Sequence, residues 1–255
     1  MTHQGAGKNP IRIAMWSGPR NISTAMMRSW ENRGDAAVSD EPLYAHYLTV
    51  RPDVDHPGRE EIIAHHNPDW REVLAHLTGP IPDGHPIWYQ KHMAHHMVDE
   101  ISDRSWLGHL RHAFLIRDPR RVIASLVKVM PQATLRDTGL PQQVEIFERL
   151  SDSEGAASPV VDAADVLADP AGTLDLLCRA LGVPFTERML QWPAGKRSSD
   201  GIWAKYWYAT VEKSTGFDRD VQSSEPVPAH HHALLDQCLP LYEKLAKWRL
   251  NAKRT

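Results

Sequence analysis

The sequence predicts an α/β protein with a parallel sheet and helices on both of its faces. Two observations carry that expectation. Short apolar runs of strand character alternate with stretches of helical spacing from one end of the chain to the other. With 255 residues, 42% hydrophobic and 24% charged, the chain has an ordinary globular composition and enough length to bury a sizeable core.

Residues 1–10 are small and polar and read as a disordered lead-in to one domain over 11–255. Ile11, Ile13 and Met15 alternate with Arg12 and Ala14 and run into Trp16, which makes a first strand; Ser17-Gly18-Pro19 stops it. Ile22 to Trp30 has helical spacing. Ala36 to Ser39 forms a second strand that ends at Asp40-Glu41-Pro42. Residues 49–68, rich in Pro and charge, form a surface excursion holding a short helix, and Asp69 then starts a helix closed by Gly79-Pro80. Ile87 to His92 is a third strand, Met97 to Gly108 a helix, and Ala113 to Ile116 a buried fourth strand. The next helix spans 119–130, with Pro119 in its first turn. A loop over 131–142 precedes a helix at 143–152 and a short fifth strand, Val160 to Asp162. Asp169-Pro170 opens a helix that Gly182 closes, and a last helix at 229–250 carries Leu234, Leu235, Leu239, Tyr242 and Leu245 on an apolar face.

Bulk charge narrows the partners. Lys plus Arg number 29 against 32 Asp plus Glu, a net charge of −3, so no global basic field recommends nucleic acid or an anionic membrane. Cys178 and Cys238 lie far apart, without the spacing of a disulfide scaffold or a zinc knuckle. No run approaches the length of a membrane span and no signal-peptide core is visible, so the expected location is cytoplasmic. Assembly into a homo-oligomer is left open.

Four stretches carry chemistry. The first is the turn after the first strand, where Arg20, Asn21, Ser23 and Thr24 lead into a helix. Amides of a first helical turn, a fixed positive charge and two hydroxyls make a cradle for phosphate or sulfate. A Walker A loop would need Lys where Ile22 stands. The second is FLIRDPRRVIASL, with Arg117 at a strand end and Ser125 about two turns up the following helix, both within reach of one phosphate. The third is GKRSSDGIWAKYW, where Lys196, Arg197, Gly201, Trp203 and Trp207 combine cations with aromatic rings. The fourth is YQKHMAHHM, with Lys91, His92, His95 and His96; His92 and His96 would be spaced for a metal on a helix, with His230 to His232 available, but no accompanying ligand motif is present and no metal is expected. Glu41, an acid at the carboxyl end of a strand, falls where open α/β sheets place ligands.

These stretches, in this order, resemble the sulfotransferase family. Pro19-Arg20 with Ser23-Thr24 is similar to the loop written PKSGTTW or PRSGST, with Asn21-Ile22 in place of Ser-Gly. Arg117-Asp118-Pro119 with Ser125 is similar to Arg-Asp-Pro-x-x-x-x-x-Ser, and residues 196–207 resemble RKGxxGDWxxxF with Ser198 and Ile202 departing from it. Residues 160–185 resemble the strand, Glu-Asp-Leu, Asp-Pro, Leu-Gly-Val-Pro segment, with Ala164 in place of Glu. The resemblance implies a P-loop NTPase-like three-layer sandwich that uses 3′-phosphoadenosine 5′-phosphosulfate without a metal and acts on a small-molecule acceptor. It further implies that Arg20, Asn21, Ser23 and Thr24 hold the 5′-phosphosulfate. Arg117, Ser125, Lys196 and Arg197 would hold the 3′-phosphate under a loop containing Gly201 and Trp203, while Lys91 meets the bridging oxygen. Glu41 and His92 are the two candidates for general base, with Glu41 preferred. The other readings are a small-molecule kinase on the same topology and a catalytically inactive nucleotide-binding protein.

Overall fold

The computed structural model describes residues 10–218 and 225–251, so all but Pro10 of the expected lead-in lies outside the described residues. Strands β1 (Ile11–Ser17), β2 (Ala36–Asp40), β3 (Ile87–Met93), β4 (Arg111–Ile116) and β5 (Val160–Asp162) form one parallel sheet in the order β2-β3-β1-β4-β5. Alternation along each strand divides the core. Ile13, Met15, Tyr89 and Leu115 face helices α1 (Ser23–Glu31), α7 (Ala163–Ala168) and α8 (Pro170–Ala180). Ala14, Trp16, Trp88 and Phe114 face the other way. There they meet α2 (Tyr44–Val50), α3 (Arg59–His65), α4 (Trp70–Thr78), α5 (Pro119–Leu126), α6 (Leu140–Glu154) and α10 (His232–Ala246). The result is the three-layer sandwich that the alternating pattern predicts.

Helix starts follow local chemistry. Asp69, Asp118 and Asp162 each accept a backbone N–H two residues on, at 2.8 Å, and Asp169 accepts the Gly172 N–H at 3.0 Å. The expected helix at 97–108 is not formed. Asp103 accepts the Ser105 N–H and Arg104 donates to the Ile101 carbonyl, local bonds that compete with helix, and only a short turn at Ser105–His109 remains. Its apolar spacing was real: Met97, Val98, Ile101 and Trp106 are all buried. The expected helix at 119–130 ends at Leu126, ahead of Pro131, which disfavours helical backbone at Met130. The last helix likewise spans Ala246 at most, after which the chain turns back. Leu250 donates to the Val160 carbonyl at 2.8 Å, and Arg249 bridges Val160 in parallel.

The strand order places the site. β1 lies between β3 and β4, and the helices that follow β1 and β4 go to opposite faces, which opens a crevice at the carboxyl ends of these two strands. Gly18 borders it. A Cβ there would meet the Thr138 carbonyl oxygen at 2.3 Å, so the segment before α6 rests directly on the loop after β1. We expect Gly18→Ala to lose about 1–3 kcal/mol of stability in urea unfolding. Gly108→Ala, where no atom lies within 4 Å, should leave the midpoint nearly unchanged.

Candidate anion cradle and buried carboxylate site

The loop between β1 and α1 closes around one left-handed residue, Arg20. Arg20 takes φ 56°, whereas Ile22 has φ −87°, so the position where related loops carry Gly needs no glycine here. Asn21 does the tying: its Nδ2 donates to the Leu115 carbonyl at 3.0 Å and its Oδ1 accepts the Ile22 N–H at 2.9 Å. The first intrahelical bond runs from the Met26 N–H to the Ile22 carbonyl, so the amides of Ser23, Thr24 and Ala25 precede it without intrahelical acceptors and present the helix's positive end.

Arg20, Ser125 and Arg117 meet there, from three segments. The Arg20 Nε donates to the Ser125 Oγ at 2.8 Å, and the Arg117 Nη1 donates to the Arg20 carbonyl at 2.9 Å. Burial, and then the Arg117 charge, lower the pKa of the Arg20 guanidinium. Two like charges held this close, beside unbonded helix amides, form a site complementary to an anion. Lys196 and Arg197 are not in contact with it. Lys196 is exposed, and Arg197 pairs at 3.5 Å with Glu31, the last residue of α1, about 12 Å of helix from Ser23.

A second centre lies at the ends of β2 and β3. The register sets Asp40 beside Lys91, and Glu41 continues the ladder by donating its N–H to the Lys91 carbonyl at 3.0 Å. The Lys91 Nζ is buried among Asp40 Oδ1 at 2.9 Å, Glu41 Oε1 at 2.7 Å and the Tyr208 hydroxyl at 2.6 Å. Tyr208 donates to Asp40 Oδ2 at 2.7 Å, and the Gly201 N–H reaches the same oxygen at 3.0 Å. Burial alone would lower the Lys91 pKa, but Asp40 and Glu41 outweigh it and push it well up. Burial raises the pKa of Glu41 despite Lys91. Trp203, 1% exposed, donates to the Tyr208 hydroxyl at 3.2 Å and packs edge-on against Tyr44. The late loop thus seals the carboxylates, with Gly201 lying where a Cβ would strike the Trp203 ring at 2.1 Å.

The structure separates two expected partners. β3 continues through Met93, so alternation sends His92 to the face opposite Lys91. His92 sits 4.6 Å from the Trp16 ring, contacts the Gln90 Oε1 at 3.2 Å, and burial and then His112 lower its pKa to about 3. It is a neutral core histidine. Lys91, for its part, has all three ammonium hydrogens engaged by protein oxygens, which leaves none directed at a bridging oxygen. Asp40 and Tyr208 belong to the centre and were not singled out as site residues by the sequence, the adjacent acids Asp40-Glu41 and the tyrosine after Trp207 being the available signals; His96, read there only as a possible metal ligand, belongs to it too. Among the described residues no group of three or more His, Cys, Asp or Glu could hold a metal ion, and no helix is long and apolar enough to cross a membrane.

Removing the ammonium would strand two buried carboxylates. We expect Lys91→Met to cost about 3–5 kcal/mol near neutral pH. Carboxyl groups whose folded pKa is raised stabilise below their unfolded value and lose that contribution as pH rises through the folded value. The deficit measured by urea unfolding should therefore shrink as pH falls toward the ordinary glutamic value of 4.5.

The family described as "Sulfotransferase domain" matches residues 11–249. Two Arabidopsis thaliana proteins, branched-chain-amino-acid aminotransferase-like proteins 2 and 1, are each 35% identical, over 91% and 92% of this chain. The chain spans only 41% and 42% of their lengths. Among solved structures, the sulfotransferase domain of the Synechococcus PCC 7002 olefin synthase superposes with a TM-score of 0.57 at 20% identity, covering 96% of this chain and 98% of that one. A sulfotransferase from Alicyclobacillus acidocaldarius gives 0.52 at 16% identity, covering 97% and 100%. These two likenesses bear on the fold. The family match over nearly the whole described chain carries the assignment: the chain belongs to the sulfotransferase-domain family.

Proposed function

We propose that this chain transfers a sulfuryl group from 3′-phosphoadenosine 5′-phosphosulfate to a hydroxyl or amine of a small acceptor by in-line displacement. The observation that carries the reading is the meeting of Arg20, Arg117 and Ser125 over the open first turn of α1. No carboxylate among the described residues pairs with Arg20 there, so the Arg20 charge is available to an anionic ligand. When bound, the nucleotide supplies the sulfuryl group and leaves as 3′-phosphoadenosine 5′-phosphate.

Arg20, Ser23, Thr24 and the first amides of α1 hold the 5′ end and stabilise the charge that spreads during transfer. Arg117 and Ser125 hold the 3′-phosphate; Lys196 joins them from the solvent side, and Arg197 does so on exchanging Glu31 for the phosphate. Glu41 is the general base, because it lies at the strand end with one oxygen, Oε2, not taken by Lys91, and its raised pKa makes it a better proton acceptor. Lys91 and Tyr208 position it. The transferred group carries a single negative charge, so fixed Arg charges serve without a metal.

The first experiment is calorimetric titration with 3′-phosphoadenosine 5′-phosphate, with and without Mg²⁺, beside ATP and AMP. Binding should be independent of the metal and fall at least about tenfold in Arg117→Ala. Binding of ATP with Mg²⁺ alone would turn the reading to a kinase, and binding of none of them would refute it. Glu41→Gln should keep nucleotide affinity while turnover drops by about 100-fold or more; near-normal turnover would remove Glu41 from its role.

A further inference from the structure

Behind Glu41 is an imidazole with nothing to bond. A short helical turn, Ala94–His96, follows β3 and carries His96 inward, where it is 2% exposed. It packs against two tyrosines, with ring centroids 4.5 Å from Tyr44 and 4.7 Å from Tyr47. Neither Nδ1 nor Nε2 has a hydrogen-bond partner among the described residues. A buried polar group is costly to leave unbonded, and a fully buried ring with both nitrogens unsatisfied is waiting for a ligand or a water. A carboxylate oxygen of the proposed base faces it: His96 Nε2 lies 4.0 Å from Glu41 Oε2. Glu41 Oε1 is taken by Lys91, so Oε2 is the oxygen that faces the imidazole, and the Glu41 side chain keeps 10% of its surface open.

We propose that His96 and Glu41 form a two-point clamp for the acceptor, and that the clamp selects a neutral hydroxyl over an alkylammonium group. The proposal rests on the sulfotransfer reading above and names the substrate class within it. An oxygen about 2.8 Å from each of two atoms 4.0 Å apart satisfies both. A hydroxyl there accepts the His96 Nε2–H and donates its own hydrogen to Glu41 Oε2. An alkylammonium has hydrogens to give but no lone pair, so it leaves the imidazole unsatisfied and must lose a proton before it attacks. The neighbourhood keeps His96 neutral. Burial, then His95, Lys91, His56 and His92, lower its pKa well below the ordinary histidine value, and the facing groups Tyr44 and Tyr47 carry no charge near neutral pH. The carboxylate opposite Nε2 favours the tautomer with hydrogen on that nitrogen. In the transfer step the hydroxyl oxygen forms its bond to sulfur as the bond from sulfur to the bridging oxygen breaks. The electron pair leaves with the nucleotide phosphate, and the hydroxyl proton passes to Glu41. His96 takes no proton; by bonding one lone pair of the hydroxyl oxygen it orients the other, which attacks.

The test uses the full chain, the sulfated nucleotide, and water, 2-phenylethanol and 1-octanol beside 2-phenylethylamine and octylamine. We expect sulfate transfer to water or the alcohols and at least about tenfold less to the amines. His96→Ala should lower transfer to hydroxyls by at least about tenfold while calorimetric affinity for 3′-phosphoadenosine 5′-phosphate is unchanged. His96→Gln, which keeps an N–H donor, should recover part of the loss. Histidine ¹⁵N spectra should show His96 neutral, with hydrogen on Nε2, from pH 5 to 8. Amines used as well as alcohols, hydrogen on Nδ1, both variants as active as the parent, or nucleotide binding with no transfer to any hydroxyl would each overturn the clamp. Loss of nucleotide binding in the unaltered protein would strike the sulfotransfer reading first and the clamp with it, which separates the two failures.

Discussion

The ammonium of Lys91 is the point on which the candidate site depends. A charge buried to 1% exposure is tolerable only because Asp40, Glu41 and the Tyr208 hydroxyl surround it at hydrogen-bond distance. The same set of bonds joins three parts of the chain that are far apart in sequence: the end of β2, the end of β3, and the segment from Gly201 to Tyr208. It fixes the Glu41 carboxylate against one strand and draws Trp203 over it. Because all the lysine's hydrogens are committed, its contribution is to hold the Glu41 carboxylate in place, while the exposed end of β1 is the meeting point of Arg20, Arg117 and Ser125.

Backbone strain marks both centres. Arg20 and Glu41 each adopt a left-handed conformation, at φ 56° and 44°, one just beyond β1 and the other just beyond β2. A non-glycine residue in that region costs of the order of 1 kcal/mol or more and persists only where surrounding bonds over-determine it. Here they do: the Asn21 side chain and the Arg117 guanidinium restrain the first loop, and Lys91 restrains Glu41. The turn at Arg20 lets its side chain fold back onto Ser125, 105 residues on, and the turn at Glu41 brings its Oε2 to 4.0 Å from the His96 Nε2.

Much of the fold is local and therefore legible in the sequence. The strand at Val160–Asp162, the Asp-Pro helix starts and the positions of β1 through β4 follow from alternation and capping, which depend on neighbours a few residues away. The stretch 97–108 misled because apolar spacing reports burial before it reports helix, and Asp103 and Arg104 decide the backbone by bonding to it. In the site, residue types were legible and pairings were not. His92 and Lys91 are adjacent in sequence, and only the length of β3 decides that they face opposite ways. Arg197, expected beside Arg117, is held by Glu31 across the length of α1, a contact that no motif encodes. Asp40 was passed over for its neighbour because strand register, which sets it against Lys91, is a property of two segments at once.

The return of the chain to Val160 sets the last described residues against the start of a strand. Ile11 begins β1, and Arg249 and Leu250 dock on the first residue of β5. In a parallel sheet both positions fall on the rim of strand beginnings, whereas Arg20, Glu41 and Arg117 occupy the rim of strand ends. The docked tail also covers part of the β5 edge, so the strand at that border is not left as a template for pairing with another molecule.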